Sequence, residues 1–170
     1  FNRPADTRGL TKFEGMLTEN LGEGVVATQS DLAAISSTFS SSAEYKDAFD
    51  GLSNVAIVNQ LYLNIFGRSA DLAGLNKFAD DLDSGAHTVE SLALHLSYAA
   101  QGTDKTVVEA RIAAAVEFTN TIDTAEEVLG YTGLAAAAEG KKYLDQISGE
   151  LPTDDETIAA EQKAATDGVD

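Results

Sequence analysis

One stretch of the sequence occurs in two related copies: residues 66–82 read FGRSADLAGLNKFADDL, and residues 1–17 read FNRPADTRGLTKFEGML. Nine of these seventeen aligned positions are identical, and the copies lie 65 residues apart. An internal repeat usually marks a supersecondary unit that buries its apolar face against a neighbouring unit. The repeat therefore predicts a fold built from two related units.

Helical periodicity surrounds the repeat. One face of residues 54–66 carries apolar side chains at spacings of three and four. Asp71 and Thr88 are suited to cap the next two helices, and Gly102 begins a predicted break before a long helix from about residue 105. An Ala-rich helix is predicted to run to Ile147. Because no β-branched run alternates with polar residues, the sequence predicts an all-α, multi-helix bundle.

The repeat and the breaks predict four segments. Residues 1–52 form a truncated first helical unit and residues 53–104 a second. Residues 105–150 form C-terminal helices that pack on the repeats, and residues 151–170 form an acidic tail or linker. In the second copy a helix leads into the motif, and no such helix precedes the motif in the first copy. We therefore expect the chain to be a fragment of a longer one.

Charge and composition exclude several classes of protein. Eleven basic and 28 acidic residues give a formal net charge of −17, which repels nucleic acid and anionic membranes. There is no cysteine, so disulfides and thiolate chemistry are excluded. No apolar run reaches about 18 residues, so no membrane insertion is expected. We also find no leader peptide, nucleophile elbow or phosphate-binding glycine loop, and we expect no enzymatic activity.

The repeated motif has a physical interpretation as a helical corner. Its aspartate caps the outgoing helix, its arginine can bind carbonyls or a carboxylate, and its glycine predicts a close approach of another helix. The phenylalanines fill the core. The residues assigned this structural role are Phe1, Arg3, Asp6, Gly9, Phe13, Phe66, Arg68, Asp71, Gly74 and Phe78.

Few residues qualify for binding chemistry. A polar groove between the repeat units would present Asn59, Asn64 and Arg68 to a ligand. The acidic cluster Asp80, Asp81 and Asp83 lies at a helix end, where carboxylates oppose the helix dipole, and calcium is the cation it would attract. The alternative is a solvated acidic edge. His87 and His95 read as isolated structural residues, and no cofactor other than calcium is indicated.

Three stretches resemble a helical domain of unknown function found in bacterial surface-layer proteins and RTX-type secreted proteins. They are the Phe-x-x-Ser-x-Glu-Tyr stretch of residues 39–45, the Leu-Tyr-x-x-x-Phe-Gly-Arg run of residues 61–68, and Asp71-x-x-Gly-Leu followed by Phe78. With the segment after it, the resemblance covers roughly residues 1–148. It implies type I secretion to the cell surface, but no binding residues carry over from a packing motif.

Three functions remain open on this resemblance. The first is a non-enzymatic module that anchors a surface protein to polysaccharide or lipopolysaccharide, or assists its self-association in a lattice. The second is an accessory or spacer domain of an extracellular calcium-dependent enzyme, and the third is a protein–protein scaffold. Weak glycan binding by each copy would be sufficient for the anchoring function, because many copies in a lattice bind together.

Overall fold

A computed structural model describes residues 2–22, 26–36 and 38–148. Phe1 and the predicted tail at 151–170 lie outside the described residues. The all-α prediction is confirmed, since the described residues form helices and no strand. The helices are α1 (Thr7–Leu21), α2 (Gln29–Ser36), α3 (Ala43–Phe49), α4 (Asn54–Phe66), α5 (Leu72–Asp83), α6 (Val89–Ala99), α7 (Gly102–Thr121), α8 (Ala125–Gly130) and α9 (Gly133–Asp145).

Side-chain caps set several helix starts. The Thr88 hydroxyl accepts from the Ser91 N–H while the Ser91 hydroxyl accepts from the Thr88 N–H, a reciprocal capping box at α6. Thr124 and Glu127 form the same arrangement at α8. At the other end of α4, Gly67 adopts φ 68°, a left-handed conformation that ends the helix without a Cβ clash. Short polar residues therefore place these boundaries locally.

The chain divides into two compact units, of which one comprises residues 13–101. Within it α4 packs against α5 and α6, and α2 packs against α6. Phe13 and Phe39 stack with ring centroids 4.2 Å apart. Its buried apolar residues are Phe49, Ile57, Val58, Leu61, Tyr62, Phe66, Ala79, Leu92 and Leu96. This unit contains the whole second copy of the repeated motif.

The other unit combines residues 1–12 with residues 102–170. Its core is built around Phe118, which is fully buried between Tyr131 at 5.1 Å and Tyr143 at 5.3 Å, measured between ring centroids. Small residues such as Ala114 and Ala136 let α7 and α9 approach closely around these rings. The first copy of the motif is thus divided: its residues up to Lys12 group with the C-terminal helices, and the rest, from Phe13, belongs to the unit of residues 13–101. The four predicted segments group the chain differently and remain predictions about domains.

Two sequence expectations about α7 are corrected. The helix begins at Gly102, where a break was predicted, because Gly102 starts the first turn and does not interrupt the helix. Apolar spacing also predicts that Ile112 lies on the buried face of this helix with Val108, Phe118 and Ile122. These three are buried, but Ile112 is 58% exposed, whereas its neighbour Arg111 is only 6% exposed. Arg111 lies on the buried face because its guanidinium has hydrogen-bond partners inside this unit.

Candidate functional site

The second copy of the motif forms a helical corner at residues 67–74, the second corner. The Asp71 carboxylate caps α5 by accepting from the Gly74 N–H at 2.9 Å. That bond holds the pKa of Asp71 below its ordinary value, because it favours the charged form. A Cβ added at Gly74 would lie 2.7 Å from the Tyr62 hydroxyl oxygen. Glycine is thus required where the tyrosine of α4 meets the first turn of α5.

Arg68 folds back over this corner. Its Nη1 donates to the Ser69 carbonyl at 3.1 Å, and its guanidinium carbon lies 5.3 Å from the centre of the Tyr62 ring and 5.7 Å from that of Phe66. These are distances at which a cation is attracted to the face of an aromatic ring. Arg68 remains exposed to solvent while making these contacts.

The first copy forms an equivalent corner at residues 2–9, the first corner. The Asp6 carboxylate accepts from the Gly9 N–H at 2.7 Å, and Arg3 Nη1 donates to the Pro4 carbonyl at 2.8 Å. Arg3 also lies 3.7 Å from the Asp6 carboxylate and 5.7 Å from the centre of the Tyr131 ring. Each corner thus sets its arginine over a tyrosine, although Tyr62 belongs to the preceding helix and Tyr131 follows α8.

The glycines of the two corners differ in their surroundings. A Cβ at Gly9 would meet the carboxylate of Asp6, its own capping residue, with the closest oxygen at 3.1 Å. No side chain from another helix lies among these nearest atoms. The close helix approach predicted from the sequence therefore occurs at Gly74 and not at Gly9.

The first corner lies in a site formed by α7, α9 and the α8–α9 turn. We call this site the cradle, and its residues are Arg111, Thr119, Tyr131, Gly140 and Asp145. The Tyr131 hydroxyl donates to the Pro4 carbonyl at 3.0 Å, and the Thr119 hydroxyl donates to the Ala5 carbonyl at 2.8 Å. Pro4 is among the most deeply buried residues described. A Cβ at Gly140 would clash with the Tyr131 hydroxyl oxygen and would lie 3.2 Å from Pro4 Cδ, so the glycine makes room first for the tyrosine and then for the proline ring.

Arg111 ties this cradle to the end of α9. Its Nε donates to the Ile147 carbonyl at 3.1 Å, and its Nη1 donates to Asn2 Oδ1 at 3.2 Å. Asn2 in turn donates to the Asp145 carboxylate at 2.7 Å. Burial lowers the pKa of Arg111, and the Asp145 charge opposes this shift only in part. A guanidinium is the cation best suited to such a site, since its donors point in fixed directions.

The three predicted ligand residues have different surroundings. Asn59 accepts the Ala70 N–H at 3.2 Å, a bond that links α4 to the second corner. Asn64 accepts from the side chain of Gln60, one turn earlier on α4, at 2.8 Å. Of the three, only Arg68 is classed as exposed. Asn59 therefore has a structural function in this unit, and Arg68 is the best placed for contact with a ligand.

The acidic cluster does not converge on one point. Asp81 accepts from Lys77 Nζ at 2.6 Å, and Asp83 accepts from the Asn54 side chain at 2.6 Å, while Asp80 is exposed. Within residues 2–22, 26–36 and 38–148, no three His, Cys, Asp or Glu side chains are grouped to hold a metal ion. Calcium binding at this cluster remains a prediction.

The structure brings together two histidines that the sequence leaves apart. The rings of His87 and His95 lie 5.1 Å apart, and His95 meets Phe78 edge to face at 5.9 Å. The Lys77 hydrogen bond is the main cause of a lowered pKa at Asp81, and both histidines add to it. The turn after α5, where the His87 N–H donates to the Asp81 carbonyl at 3.2 Å, produces this pairing. Their eight-residue spacing carries no sequence signal for it.

Comparison with known proteins gives a family match for part of the chain. Residues 36–103 match the model of a family described as a domain of unknown function, DUF4214. The matched segment contains α3 through α6 and the whole second corner. No curated protein and no solved structure matches the chain. In the part of the chain that the structure describes, no helix is both long and apolar enough to cross a membrane.

Proposed function

We propose that this chain is a non-enzymatic helical module of a secreted bacterial surface protein, of the surface-layer or RTX type. Its function is to anchor that protein to cell-surface polysaccharide or to assist its assembly. The observation that carries the proposal is the use of the repeated motif. In both corners the aspartate, arginine and glycine serve hydrogen bonds and packing inside the fold, as a structural module requires.

The match to a domain of unknown function supports a modular unit without naming its ligand. The net charge of −17 repels anionic polymers of high charge density. Such a polymer would be a suitable partner only if a divalent cation bridged it to the protein. A neutral or weakly charged glycan fits this surface. Arginine beside aromatic rings is a suitable contact for such a glycan, and Arg68 over Tyr62 offers that chemistry at the second corner.

The test is binding of the chain to purified envelope polysaccharide from its source bacterium, with calcium and with chelator. We expect weak, saturable binding that Arg68→Ala reduces. Lys105→Ala is the matched control, since it removes one exposed positive charge from α7 that is paired with Glu109 and belongs to neither corner. Equal binding by both variants would show that Arg68 is not the contact. Absence of binding with and without calcium would contradict the anchoring function.

Calcium dependence has its own variant. If binding needs calcium through the acidic end of α5, the double variant Asp80→Asn, Asp83→Asn should lose the calcium-dependent part. Asp81 is left intact because it is paired with Lys77. Binding that is unchanged by chelator would contradict a function for calcium.

A further inference from the structure

We propose that the cradle is a peptide-binding site that also accepts the first corner of a second copy of this chain. Neighbouring molecules would then associate by exchanging residues 2–6. This inference deepens the assembly function proposed above and supplies a contact for it. It is independent of glycan binding, because it depends only on contacts within the unit that combines residues 1–12 and 102–170.

Recognition of the segment uses main-chain atoms and one buried ring. Tyr131 and Thr119 each donate a hydroxyl to a backbone carbonyl, at Pro4 and Ala5 respectively. Main-chain hydrogen bonds supply affinity for a bound peptide, while side-chain pockets supply specificity. Here the specificity would come from Pro4, which is fully buried beside Gly140. The ligand class is therefore a short peptide with a proline at its centre, bent at its start, where Asn2 has φ 54°.

Charged and polar groups fix the register of the segment. Arg3, which precedes the proline, lies over the Tyr131 ring, and Asn2 is held between Arg111 and Asp145. A peptide shifted by one residue would place a different side chain against Gly140 and lose both contacts. The cradle thus selects an Asn-Arg-Pro sequence, and a second copy of this chain carries it by definition.

The segment and its cradle are far apart along the chain. Their hydrogen bonds join residues separated by 109 to 143 positions. The intervening stretch of sequence includes residues 13–101, which form the other compact unit. The chain returns to this unit at Gly102, the first residue of α7, which is exposed and has φ 54°. Glycine adopts this left-handed conformation without a Cβ clash, so the chain can turn at this point.

The energetics of exchange follow from identical contacts. A segment docked from a second molecule makes the same hydrogen bonds and buries the same proline as the chain's own segment. The balance is then set by concentration, because a tethered segment has an effective concentration on the order of millimolar. Exchange should be rare in dilute solution and favoured where copies are crowded, as on a cell surface.

The absence of cysteine makes a direct test possible. Full chains carrying Asn2→Cys are mixed with full chains carrying Asp145→Cys, refolded together at about 10 μM and about 1 mM, and treated with a short bis-maleimide. We expect a cross-linked heterodimer whose yield rises at least severalfold with concentration. Asn2→Cys mixed with Lys105→Cys is the matched control, since Lys105 is exposed and lies outside the cradle.

A double variant with Asn2→Cys and Asp145→Cys in one chain checks docking within the molecule. We expect it to cross-link internally in dilute solution; failure to do so would overturn the cradle itself. Internal cross-linking together with a heterodimer yield no higher than the control at about 1 mM would overturn exchange. Neither cross-linking result would contradict glycan binding by this chain. Absence of glycan binding would likewise not contradict exchange of residues 2–6.

Discussion

Gly74 shows how one missing side chain governs a helix crossing. Gly74→Ala would push a Cβ against the Tyr62 hydroxyl, on a ring that is 7% exposed and has little room to move. Overpacking costs about 1–3 kcal/mol, and the helix propensity gained offsets about 1 kcal/mol. We expect a net loss of about 1 kcal/mol in the free energy of unfolding, measured by denaturant titration.

Two controls separate the clash from the glycine change itself. Gly15→Ala changes a glycine of α1 with nothing within 4 Å of the new Cβ, so stability should stay level or rise. The variant Tyr62→Phe removes the hydroxyl, so the nearest atom to a Cβ added at residue 74 would be the ring carbon Cζ at 3.5 Å, an ordinary contact. In this background the stability cost of Gly74→Ala should therefore be smaller. An equal cost in both backgrounds would contradict the proposed clash.

Asp71 predicts a pH dependence at the residue scale. Its pKa is lowered in the folded chain, so its charge contributes stability above the unfolded pKa, and that contribution is lost as pH falls through the folded value. Asp71→Asn keeps a capping side chain but removes the charge. Thermal unfolding should show the variant less stable than the parent near neutral pH, with the difference vanishing in acid.

Asp80→Asn is the counterpart at the other end of the same helix. A carboxylate near the C-terminus of α5 opposes the helix dipole, so its removal should raise the unfolding midpoint near neutral pH. If both variants raise the midpoint, the general loss of negative charge and not the cap accounts for the effect.

At the scale of elements, the register of α7 depends on Arg111. Hydrogen bonds from its Nε and Nη1 join α7 to the end of α9 and to the first corner. Arg111→Met keeps the length of the side chain but leaves the Ile147 carbonyl without this donor, and we expect a loss of about 1–3 kcal/mol. Arg8→Met on an exposed position of α1 should change stability by less than about 0.5 kcal/mol. Comparable losses in urea titrations would show that Arg111 has no special function.

The net charge of −17 acts on the whole molecule. Repulsion among the surface carboxylates disfavours the compact state, while the exposed lysine pairs on α5, α7 and α9 offset little of it. Sodium chloride shortens the Debye length from about 30 Å at 0.01 M to about 8 Å at 0.15 M. We expect the thermal midpoint to rise over this range in differential scanning calorimetry. A falling midpoint would mean that favourable ion pairs dominate.

Local sequence determined the helices and several of their ends. The apolar spacing of residues 54–66 predicted α4 with its observed bounds, and Asp71 and Thr88 lie at the predicted starts of α5 and α6. These features depend on side chains within four residues of one another, so the sequence carries them directly. The all-α class follows from the same periodicity.

Only the tertiary structure decided which residues meet across the chain. The burial of Arg111 in place of Ile112, the pairing of His87 with His95, and the docking of Pro4 beneath Tyr131 each join segments that no periodic pattern relates. The two copies of the motif place their arginines over different tyrosines, Tyr62 of α4 and Tyr131 after α8. The physical reason is that a motif fixes its internal bonds, while its neighbours are selected by packing of the whole unit.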